Sequence, residues 1–475
     1  MYLGLDLGTS GVKALLIDDA QAVVSEGHGP LNVSRPQSGW SEQDPADWIS
    51  ATETAIAALG DVSAVRAIGL SGQMHGATLL DAGDRILRPC ILWNDTRAHV
   101  EAAQMDADPQ FRAITGNIVF PGFTAPKLAW VARHEQEVFA ACAKVLLPKD
   151  YLRLWLTGEH VGEMSDAAGT AWLDVGARDW SDALLAATGL SRAQMPRLVE
   201  GNAVSGVVRD GLADALGLPR GVVVAGGGGD NAASAVGMGV VDPGTAFLSL
   251  GTSGVLFAAN EAYRPDPATA VHTFCHAVPG TWHQMGVILA AADALEWYAR
   301  LTGSTAAQLT GDLGTLRAPG RALFLPYLGG ERTPHNDASV RGALVGLEHD
   351  AAQAAGTRAV LEGVTHAFVD CAQALAATGT GLDRIIAVGG GSRSDYWLQA
   401  LATALDTAIE VPVAGDFGGA FGAARLGMMA ATGGGAELST PPDIARVIAP
   451  VPELTDAFAD AHDRYRAAYT AIAGL

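Results

Sequence analysis

Two stretches of this sequence share a glycine-rich frame that could hold phosphate groups. LDLGTSGVK occupies residues 5–13, and LSLGTSGVL occupies residues 248–256. Glycine lets each turn tighten and approach a phosphate closely, while the backbone N–H groups can donate hydrogen bonds to its oxygens. The hydroxyls of Thr9, Ser10 and Thr252 can add further donors. Two such turns facing each other across a cleft could bind a polyphosphate from both sides, and a pair of structural hairpin turns is the alternative.

The two copies differ at the positions that carry charge. Asp6 in the first copy corresponds to Ser249 in the second, and Lys13 corresponds to Leu256. A divalent metal ion prefers hard oxygen ligands, and the Asp6 carboxylate supplies one, either directly or through water. Because one metal ion needs only one such acid, a serine in the second copy is consistent with this role. We therefore expect Asp6 to lie beside the metal and Lys13 to add a positive charge near the phosphates.

A run of four glycines precedes an acidic residue in GGGGDNAAS, residues 226–234. The pattern predicts a strand, a glycine loop and a helix that begins near Asp230, where the helix dipole favours the carboxylate form. A carboxylate in that position can accept the proton of an attacking hydroxyl group. Aspartate is also a common helix N-cap, which is the structural alternative. The four glycines remove side chains from around the acid and favour the catalytic interpretation.

Two polar loops between apolar segments could recognise a hydroxylated ligand. SGQMHG places His75 next to Met74, and LWNDTR places Trp93 ahead of amide and carboxylate side chains. An aromatic face with polar neighbours is typical of a carbohydrate subsite, and methionine can supply an apolar wall. A surface histidine and a structural turn are the alternatives. A third polar loop, LPYLGGERTPH at residues 325–335, is distinctive, but its pattern alone indicates no chemistry.

Composition excludes several classes of protein. The chain has 475 residues, of which 49% are hydrophobic, and its net charge of −21 argues against nucleic acid or an anionic membrane as the main partner. Its lysines all lie in the first third and no G-x-x-x-x-G-K-[ST] sequence occurs, which excludes a Walker-type phosphate loop. Widely spaced cysteines and the lack of a signal peptide indicate a cytoplasmic protein without a zinc site or disulfide framework.

The repeat divides the chain near its midpoint. We expect two related domains, residues 1–241 and 242–475, each opening with a strand, a G-T-S-G turn and a second strand. A pattern of strand, glycine loop and helix recurs at residues 222–239 and 384–405, and alternation of this kind predicts an α/β fold with sheets flanked by helices. The small residues of the glycine-rich stretch 415–427 are expected to reflect close helix packing.

Two longer stretches complete the set of motifs, namely GFTAPKLAWVARH at residues 122–134 and GALVGLEHDAAQAAGTRAVLEG at residues 342–363. With the two G-T-S-G turns, they resemble the signatures of the FGGY carbohydrate kinases, a family of the actin-like ATPase superfamily. The second stretch departs from the family pattern at Ala355 and Gly356, where a polar and then an apolar residue are usual. The resemblance covers essentially the whole chain and implies two duplicated actin-like (ribonuclease H-like) domains with a cleft between them.

The resemblance also implies a role for each candidate residue. The first domain would bind the sugar and carry the first phosphate loop, and the second domain would bind the nucleotide. Asp230 would be the general base, Met74 and His75 would contact the sugar, and Asp6 would lie near Mg²⁺. The other implied contacts are Asn231 and Trp93 for the sugar, and Thr9, Ser10, Lys13, Gly251, Thr252, Gly390 and Gly391 for the nucleotide.

Within the family, SGQMHG, ILWNDTR and FLPYLGGERTPHN are most similar to bacterial enzymes that phosphorylate D-xylulose. The implied reaction uses ATP and Mg²⁺ to phosphorylate the terminal hydroxyl of D-xylulose, giving D-xylulose 5-phosphate. The alternatives are a kinase for another ketose or polyol such as ribulose, a chaperone-like ATPase, and a non-catalytic sugar sensor. The expected partners are the sugar and ATP, without nucleic acid or membrane, and a homodimer is one assembly that the sequence leaves open.

Overall fold

A computed structural model describes residues 1–311, 313–349, 351–413 and 417–474 of the chain. Gly415 and Asp416, in the glycine-rich stretch, therefore lie outside the described residues. The described part contains two large sheets of seven strands each, with helices packed against them. The expected α/β class is confirmed.

The first half of the chain supplies one of the two large sheets. Its strands are β1 (Tyr2–Leu7), β2 (Gly11–Ile17), β3 (Val23–Pro30), β4 (Glu42–Gln43), β5 (Ala67–Gly72), β6 (Thr78–Leu80), β7 (Cys90–Ile91), β8 (Lys144–Leu146), β9 (Val161–Glu163), β10 (Leu173–Asp174), β11 (Asp179–Trp180), β12 (Arg197–Val199), β13 (Val204–Val207), β14 (Val223–Ala225) and β15 (Gly228–Gly229). Its helices are α1 (Pro45–Ala57), α2 (His99–Asp106), α3 (Pro109–Thr115), α4 (Thr124–His134), α5 (Gln136–Ala141), α6 (Pro148–Thr157), α7 (Met164–Ala167), α8 (Asp182–Ala187), α9 (Asp210–Leu216) and α10 (Asp230–Met238).

The second half supplies the other large sheet. Its strands are β16 (Thr245–Leu250), β17 (Gly254–Asn260), β18 (His272–Cys275), β19 (Trp282–Ile288), β20 (Leu323–Leu325), β21 (Ala343–Val345), β22 (Arg384–Val388), β23 (Ile409–Pro412) and β24 (Ile444–Ile448). Its helices are α11 (Ala292–Thr302), α12 (Ala306–Gly311), α13 (Gln353–Ala377), α14 (Asp395–Leu405), α15 (Gly419–Thr432) and α16 (Pro452–Ile472).

The two sheets repeat one pairing pattern. In the first sheet, β3, β2 and β1 pair antiparallel in that order, and β1, β5 and β14 continue in parallel. In the second sheet, β19, β17 and β16 pair antiparallel, and β16, β22 and β23 continue in parallel. An antiparallel strand then follows in each, β13 beside β14 and β24 beside β23. The duplication predicted from the two G-T-S-G stretches is therefore a duplication of the fold.

Helix α15 belongs to the second half of the sequence but packs across β1 and β5 of the first sheet. The approach is close, because a Cβ added at Gly4 would come 1.8 Å from the carbonyl oxygen of Ala420. A Cβ at Gly69 would come 1.7 Å from the carbonyl oxygen of Ala423. The prediction that small residues serve close helix packing is thus confirmed for the described residues 417–427.

The cysteines and the first strand are mostly buried. The four cysteines are buried and free. Strand β1 is buried along its length except at Asp6, which is half-buried at the carboxyl end of the strand. Within the described residues, no helix combines the length and the apolar character needed to cross a membrane.

Candidate active site

The carboxylate of Asp6 lies at the carboxyl end of β1 and at the N-terminus of α15. Ser71, which pairs with Asp6 in the neighbouring strand β5, donates from its Oγ to Asp6 Oδ1 at 2.9 Å. A Cβ added at Gly419, the first residue of α15, would come within 2.8 Å of Asp6 Oδ2. The dipole at this helix terminus stabilises a carboxylate. Neither contact follows from the sequence pattern, although Ser71 lies within the SGQMHG loop.

Asp230 is the first residue of α10, where the sequence predicts it. Its Oδ1 accepts hydrogen bonds from the backbone N–H of Asn231 at 2.7 Å and from Asn231 Nδ2 at 3.0 Å. Burial, and then the negative charge of Asp6, raises the pKa of Asp230 to about 6, while the bonds from Asn231 act in the opposite direction. A carboxylate with a raised pKa is a stronger base than usual and is still mostly ionised near neutral pH.

A buried group of charged side chains supports the glycine loop that leads to Asp230. Its members are Lys149, Asp150, Arg153, Glu163 and Asp166. Arg153 Nη2 donates to the carbonyl oxygen of Gly226. The backbone N–H of Gly229 donates to Ser165 Oγ at 3.0 Å, and that hydroxyl donates to Glu163 Oε1 at 2.9 Å. The loop before the candidate base is therefore held at both ends by side chains from α6 and α7 and from β9.

Side-chain hydrogen bonds connect the first G-T-S-G turn to both polar loops. Thr9 Oγ1 donates to Gln73 Oε1 at 3.1 Å and accepts from Trp93 Nε1 at 3.0 Å. Gln43 Nε2 donates to the carbonyl oxygen of Thr9 at 2.8 Å. A phosphate contact of the Thr9 hydroxyl stays a prediction, since its proton is here donated to Gln73. The turn is nevertheless fixed in position by residues from the predicted sugar loops.

The second G-T-S-G turn is connected to a different set of elements. The N–H of Ala292, the first residue of α11, donates to the carbonyl oxygen of Gly251 at 2.8 Å. Gly389 adopts a φ of 92°, and a Cβ there would come 2.7 Å from the carbonyl carbon of Leu250. Glycine is required at this position because both the left-handed backbone and the close approach exclude a side chain. The second turn therefore lies against α11 and the loop that follows β22.

A cavity of about 350 Å³ opens beside the first turn, with His75 in its wall. His75 Nδ1 lies 2.7 Å from the carbonyl oxygen of Gly169, and its ring stacks on Phe123. Burial, with the positive charges of Lys127 and Arg332, lowers the pKa of His75 to about 3. The ring is therefore neutral, and because a carbonyl only accepts, Nδ1 carries the proton. This leaves Nε2 as an acceptor for a ligand hydroxyl.

Trp93 lines the same cavity as His75, whereas Met74 is buried behind it. Trp93 lines the cavity with its side chain 48% exposed, so its aromatic face is available to a ligand. Met74 is buried, and its Sδ lies 2.9 Å from the position of a Cβ added at Gly229. Met74, which precedes His75 in the chain, therefore packs against the loop that ends at Asp230.

The opposite wall of the same cavity comes from the second half of the chain. It includes His272, Leu289, Glu331, Arg332 and Asn336. Glu331 and Arg332 belong to the LPYLGGERTPH stretch, residues 325–335, and Asn336 is the next residue. A loop without predicted chemistry thus faces the residues predicted to bind sugar.

A larger cavity, of about 670 Å³, opens between α11, α12 and the turn at residues 390–393. Gly390 and Gly391 line it, as do the charged side chains of Glu296, Arg300 and Arg393. Its volume is in the range of pockets that bind cofactor-sized molecules. The first residue of α11, Ala292, donates to the carbonyl oxygen of Gly251 in the second G-T-S-G turn. The cavity is therefore adjacent to that turn.

Comparison with known proteins decides the family. The family models for the N-terminal and C-terminal domains of the FGGY family of carbohydrate kinases match residues 1–237 and 246–431. The chain belongs to the FGGY family of carbohydrate kinases. It is 52% identical to the xylulose kinase of Escherichia coli strain K12 over 437 residues, which are 91% of this chain and 90% of that protein.

Solved structures agree with this assignment. The FGGY kinase is 64% identical to a xyloylose kinase from Brucella ovis, with a TM-score of 0.99 over 100% of this chain and 99% of that one. It is 26% identical to a gluconate kinase from Lactobacillus acidophilus, with a TM-score of 0.92 over 99% of this chain and 98% of that one. The predicted actin-like fold of duplicated domains is therefore confirmed, and ATP is the phosphoryl donor of the family.

In the structure, the predicted site residues form two groups. Asp6, Thr9, Met74, His75, Trp93, Asp230 and Asn231 lie around the carboxyl end of the first sheet, and Gly251, Thr252, Gly390 and Gly391 lie around the second turn. Lys13 lies on β2 opposite Asp6 and pairs with Glu26 at 3.1 Å, and Ser10 is exposed in the first turn. The pattern missed Gln43, Glu331 and Arg332, each of which has a contact with a residue distant in sequence.

Proposed function

We propose that this FGGY kinase transfers the γ-phosphoryl group of ATP to the terminal hydroxyl of D-xylulose, giving D-xylulose 5-phosphate. The observation that carries the proposal is the position of Asp230, a half-buried carboxylate near Asp6 with a raised pKa. Its glycine loop packs against Met74, the neighbour of His75 in the wall of a cavity with polar and aromatic side chains. The identity of 52% with the Escherichia coli xylulose kinase supports the choice of sugar.

Asp230 acts as the general base in this proposal. Phosphoryl transfer passes through a loose transition state, so positioning contributes more than activation of the nucleophile. Asn231 holds one oxygen of the Asp230 carboxylate, which leaves Oδ2 to orient the terminal hydroxyl and accept its proton. His75 Nε2 and the face of Trp93 position the sugar from the cavity wall.

The residues around Asp6 fit a magnesium ion. In the part of the chain that the structure describes, no group of three or more His, Cys, Asp or Glu side chains could hold a metal ion by itself. Mg²⁺ usually takes one or two protein carboxylates and completes its octahedral shell with phosphate oxygens and water. Asp6, with Asp230 nearby, matches that donor set. When bound, the ion would offset the negative charge of the phosphates.

We also propose the division of labour between the two halves. Residues 1–241 would bind the sugar and residues 242–475 the nucleotide, with α15 as the element of the second half that packs on the first sheet. Thr9, Ser10 and Lys13 would meet the phosphates from one side and Gly251 and Thr252 from the other. A cytoplasmic location and a homodimer stay predictions.

The experiment measures ADP release from ATP and Mg²⁺ with D-xylulose, D-ribulose, L-ribulose, glycerol or no sugar. Stimulation by D-xylulose is expected. In Asp230→Ala, turnover should fall at least ~10²-fold, the lower end of general-base contributions, with ATP binding retained. Full turnover in a folded Asp230→Ala protein would overturn the role of Asp230.

A kinase for a different acceptor is the second candidate. The similarity in fold to a gluconate kinase, with a TM-score of 0.92, favours it because the same framework serves another substrate. Stimulation by a sugar other than D-xylulose would support this candidate and keep the mechanism. ADP release that no sugar stimulates would instead support the chaperone-like ATPase, and binding of sugar without ADP release would support the sensor.

A further inference from the structure

The loop at residues 329–338 is built onto the end of strand β19. The backbone N–H of Thr333 donates to the carbonyl oxygen of Val287 at 3.0 Å. Glu331 Oε1 accepts from the N–H of Leu289 at 2.9 Å and from the N–H of Arg332 at 2.8 Å. The loop is therefore held by the sheet, and its side chains occupy defined positions in the cavity wall.

One carboxyl oxygen of Glu331 has no hydrogen-bond partner among the described residues. The residue is 2% exposed and lines the cavity. Oε2 is buried and has no hydrogen-bond partner within the described residues. Burial raises the pKa of Glu331 to about 8, so near neutral pH the group can donate as well as accept. Because a buried polar group without a partner is costly, a hydroxyl of a ligand is its natural partner.

Arg332 supplies hydrogen-bond donors at the same wall. Its guanidinium lies over the ring of Phe120 at 4.4 Å, and Nη1 donates to His272 Nε2 at 3.4 Å. Its positive charge contributes to the lowered pKa of His75, which places it near that residue of the opposite wall. A guanidinium has five N–H donors in a fixed geometry, so further donors can reach a ligand between the walls.

We propose that Glu331 and Arg332 bind the end of the ketose remote from the transferred phosphoryl group, namely its C1 hydroxyl and C2 carbonyl. This inference rests on the proposed function. Asp230 takes the proton of the terminal hydroxyl in that function. His75 lines the cavity, and its neighbour Met74 packs against Gly229, the residue before Asp230, so the rest of the sugar would extend toward His75 and the opposite wall. A carbonyl oxygen only accepts and a guanidinium only donates, which pairs Arg332 with C2 and Glu331 with C1.

One consequence concerns the two halves of the enzyme. His75 and Trp93 come from the first half, whereas Glu331 and Arg332 come from the second half. A bound ketose would therefore bridge them.

The test compares Arg332→Met, Arg332→Lys and Glu331→Gln with the wild-type enzyme on D-xylulose and on 1-deoxy-D-xylulose, which lacks the C1 hydroxyl. Arg332→Met should lower kcat/KM for both sugars at least ~10-fold, because a hydrogen bond to a charged group is lost. Arg332→Lys should recover part of that loss. At a pH above about 8, where Glu331 is ionised, Glu331→Gln should reduce kcat/KM for D-xylulose only, because an amide N–H₂ group in the position of Oε2 cannot accept from the C1 hydroxyl. The ratio of kcat/KM for D-xylulose to that for the deoxy sugar should therefore become smaller. The KM for ATP should stay within about twofold in each variant.

The matched control is Arg321→Met, which removes a side chain that is 78% exposed in the same half of the chain. It should behave as wild type, and thermal melting of every variant checks folding. If Arg332→Met does not fold, Arg332→Lys and Glu331→Gln still decide the question. Unchanged KM for D-xylulose and unchanged sugar preference in these folded variants would overturn the inference. A wild-type enzyme that D-xylulose does not stimulate would overturn the proposed function, and this inference with it.

Discussion

The two G-T-S-G turns have the same sequence and different surroundings. In the first, the hydroxyl of Thr9 is shared by Gln73 and Trp93, so the turn is connected to the predicted sugar loops. In the second, Ala292 donates to Gly251, so the turn is connected to the helix that lines the larger cavity. The same motif is therefore connected to different elements in the two halves, because each copy packs against different neighbours.

Strand register increases the difference between the two copies. Asp6 lies opposite Lys13 in the first hairpin, whereas Ser249 lies opposite Val255 in the second, one residue earlier in the motif. A shift of one residue moves the following side chains to the other face of the strand. Leu256 is consequently buried in the core, and the charged face exists only in the first hairpin. The duplicated fold therefore carries the carboxylate that we propose for Mg²⁺ in the first hairpin, where the second has Ser249.

The largest effect is expected for Asp6→Ser. This substitution replaces the aspartate of the first motif with serine, the residue at the matching position 249 of the second motif. Turnover should fall at least ~10²-fold, because a divalent ion contributes several kcal/mol of charge stabilisation. ADP release at saturating D-xylulose, titrated with MgCl₂, measures the effect. Ser249→Ala is the matched change and should alter turnover less than about threefold, the cost of a neutral hydrogen bond. Equal losses in both variants would contradict the asymmetry.

The pair of substitutions Thr9→Val and Thr252→Val tests which of the two turns affects sugar binding. Thr9→Val leaves the Trp93 N–H and the Gln73 carbonyl without their shared partner, so the KM for D-xylulose should rise ~10-fold. Thr252→Val should change that KM by less than about twofold, since the second turn contacts α11 and none of the predicted sugar loops. Steady-state kinetics with varied sugar measure both. A larger sugar effect in Thr252→Val would reverse the assignment of the two turns.

Lys13→Leu tests the second charged difference. The side chain is 36% exposed, so solvent weakens its interactions, and we expect the KM for ATP to rise only about fivefold. The effect should shrink as the salt concentration is raised, because screening already weakens the wild-type contact. Leu256→Met, a volume-conserving change at the matching position, should leave the KM for ATP unchanged. A KM for ATP that does not respond to Lys13→Leu would remove the residue from the phosphate site.

The smallest expected effect is a shift in pH dependence. Asp230 must be deprotonated to accept a proton, so wild-type turnover should fall as the pH decreases through about 6. The charge of Asp6 is one cause of that raised pKa, and its removal in Asp6→Asn should lower the pKa of Asp230. The acid limb of the residual activity should then move to lower pH by less than about one unit. A limb that moves to higher pH would show that Asp6 does not act on Asp230 through its charge.

The local sequence pattern was sufficient to predict the strands and helices that carry the candidate residues. The glycine run ahead of Asp230 predicts a helix start, and α10 begins at that residue. The repeated frame predicts two related hairpins, and the sheets around them have matching strand orders. Both inferences succeed because hairpins, glycine loops and helix starts depend on residues close together in sequence.

Contacts between distant segments were not predictable in the same way. The partner of Asp6 is Ser71, from the neighbouring strand, and the helix that approaches the same carboxylate begins at Gly419. Arg332 reaches the His75 cavity although their separation is more than half the chain. Such pairs depend on how strands are ordered and which helix crosses which sheet, and no local pattern encodes either.

The sequence by itself determined the duplication, the position of the base at a helix start and the loss of charge in the second copy, because these are properties of residue type and short spacing. Tertiary structure decided which elements contact each turn, that Asp6 lies near enough to Asp230 to raise its pKa, and that the second half supplies a wall of the cavity lined by His75. These properties depend on distances and burial, which exist only after strands from both halves have paired and packed.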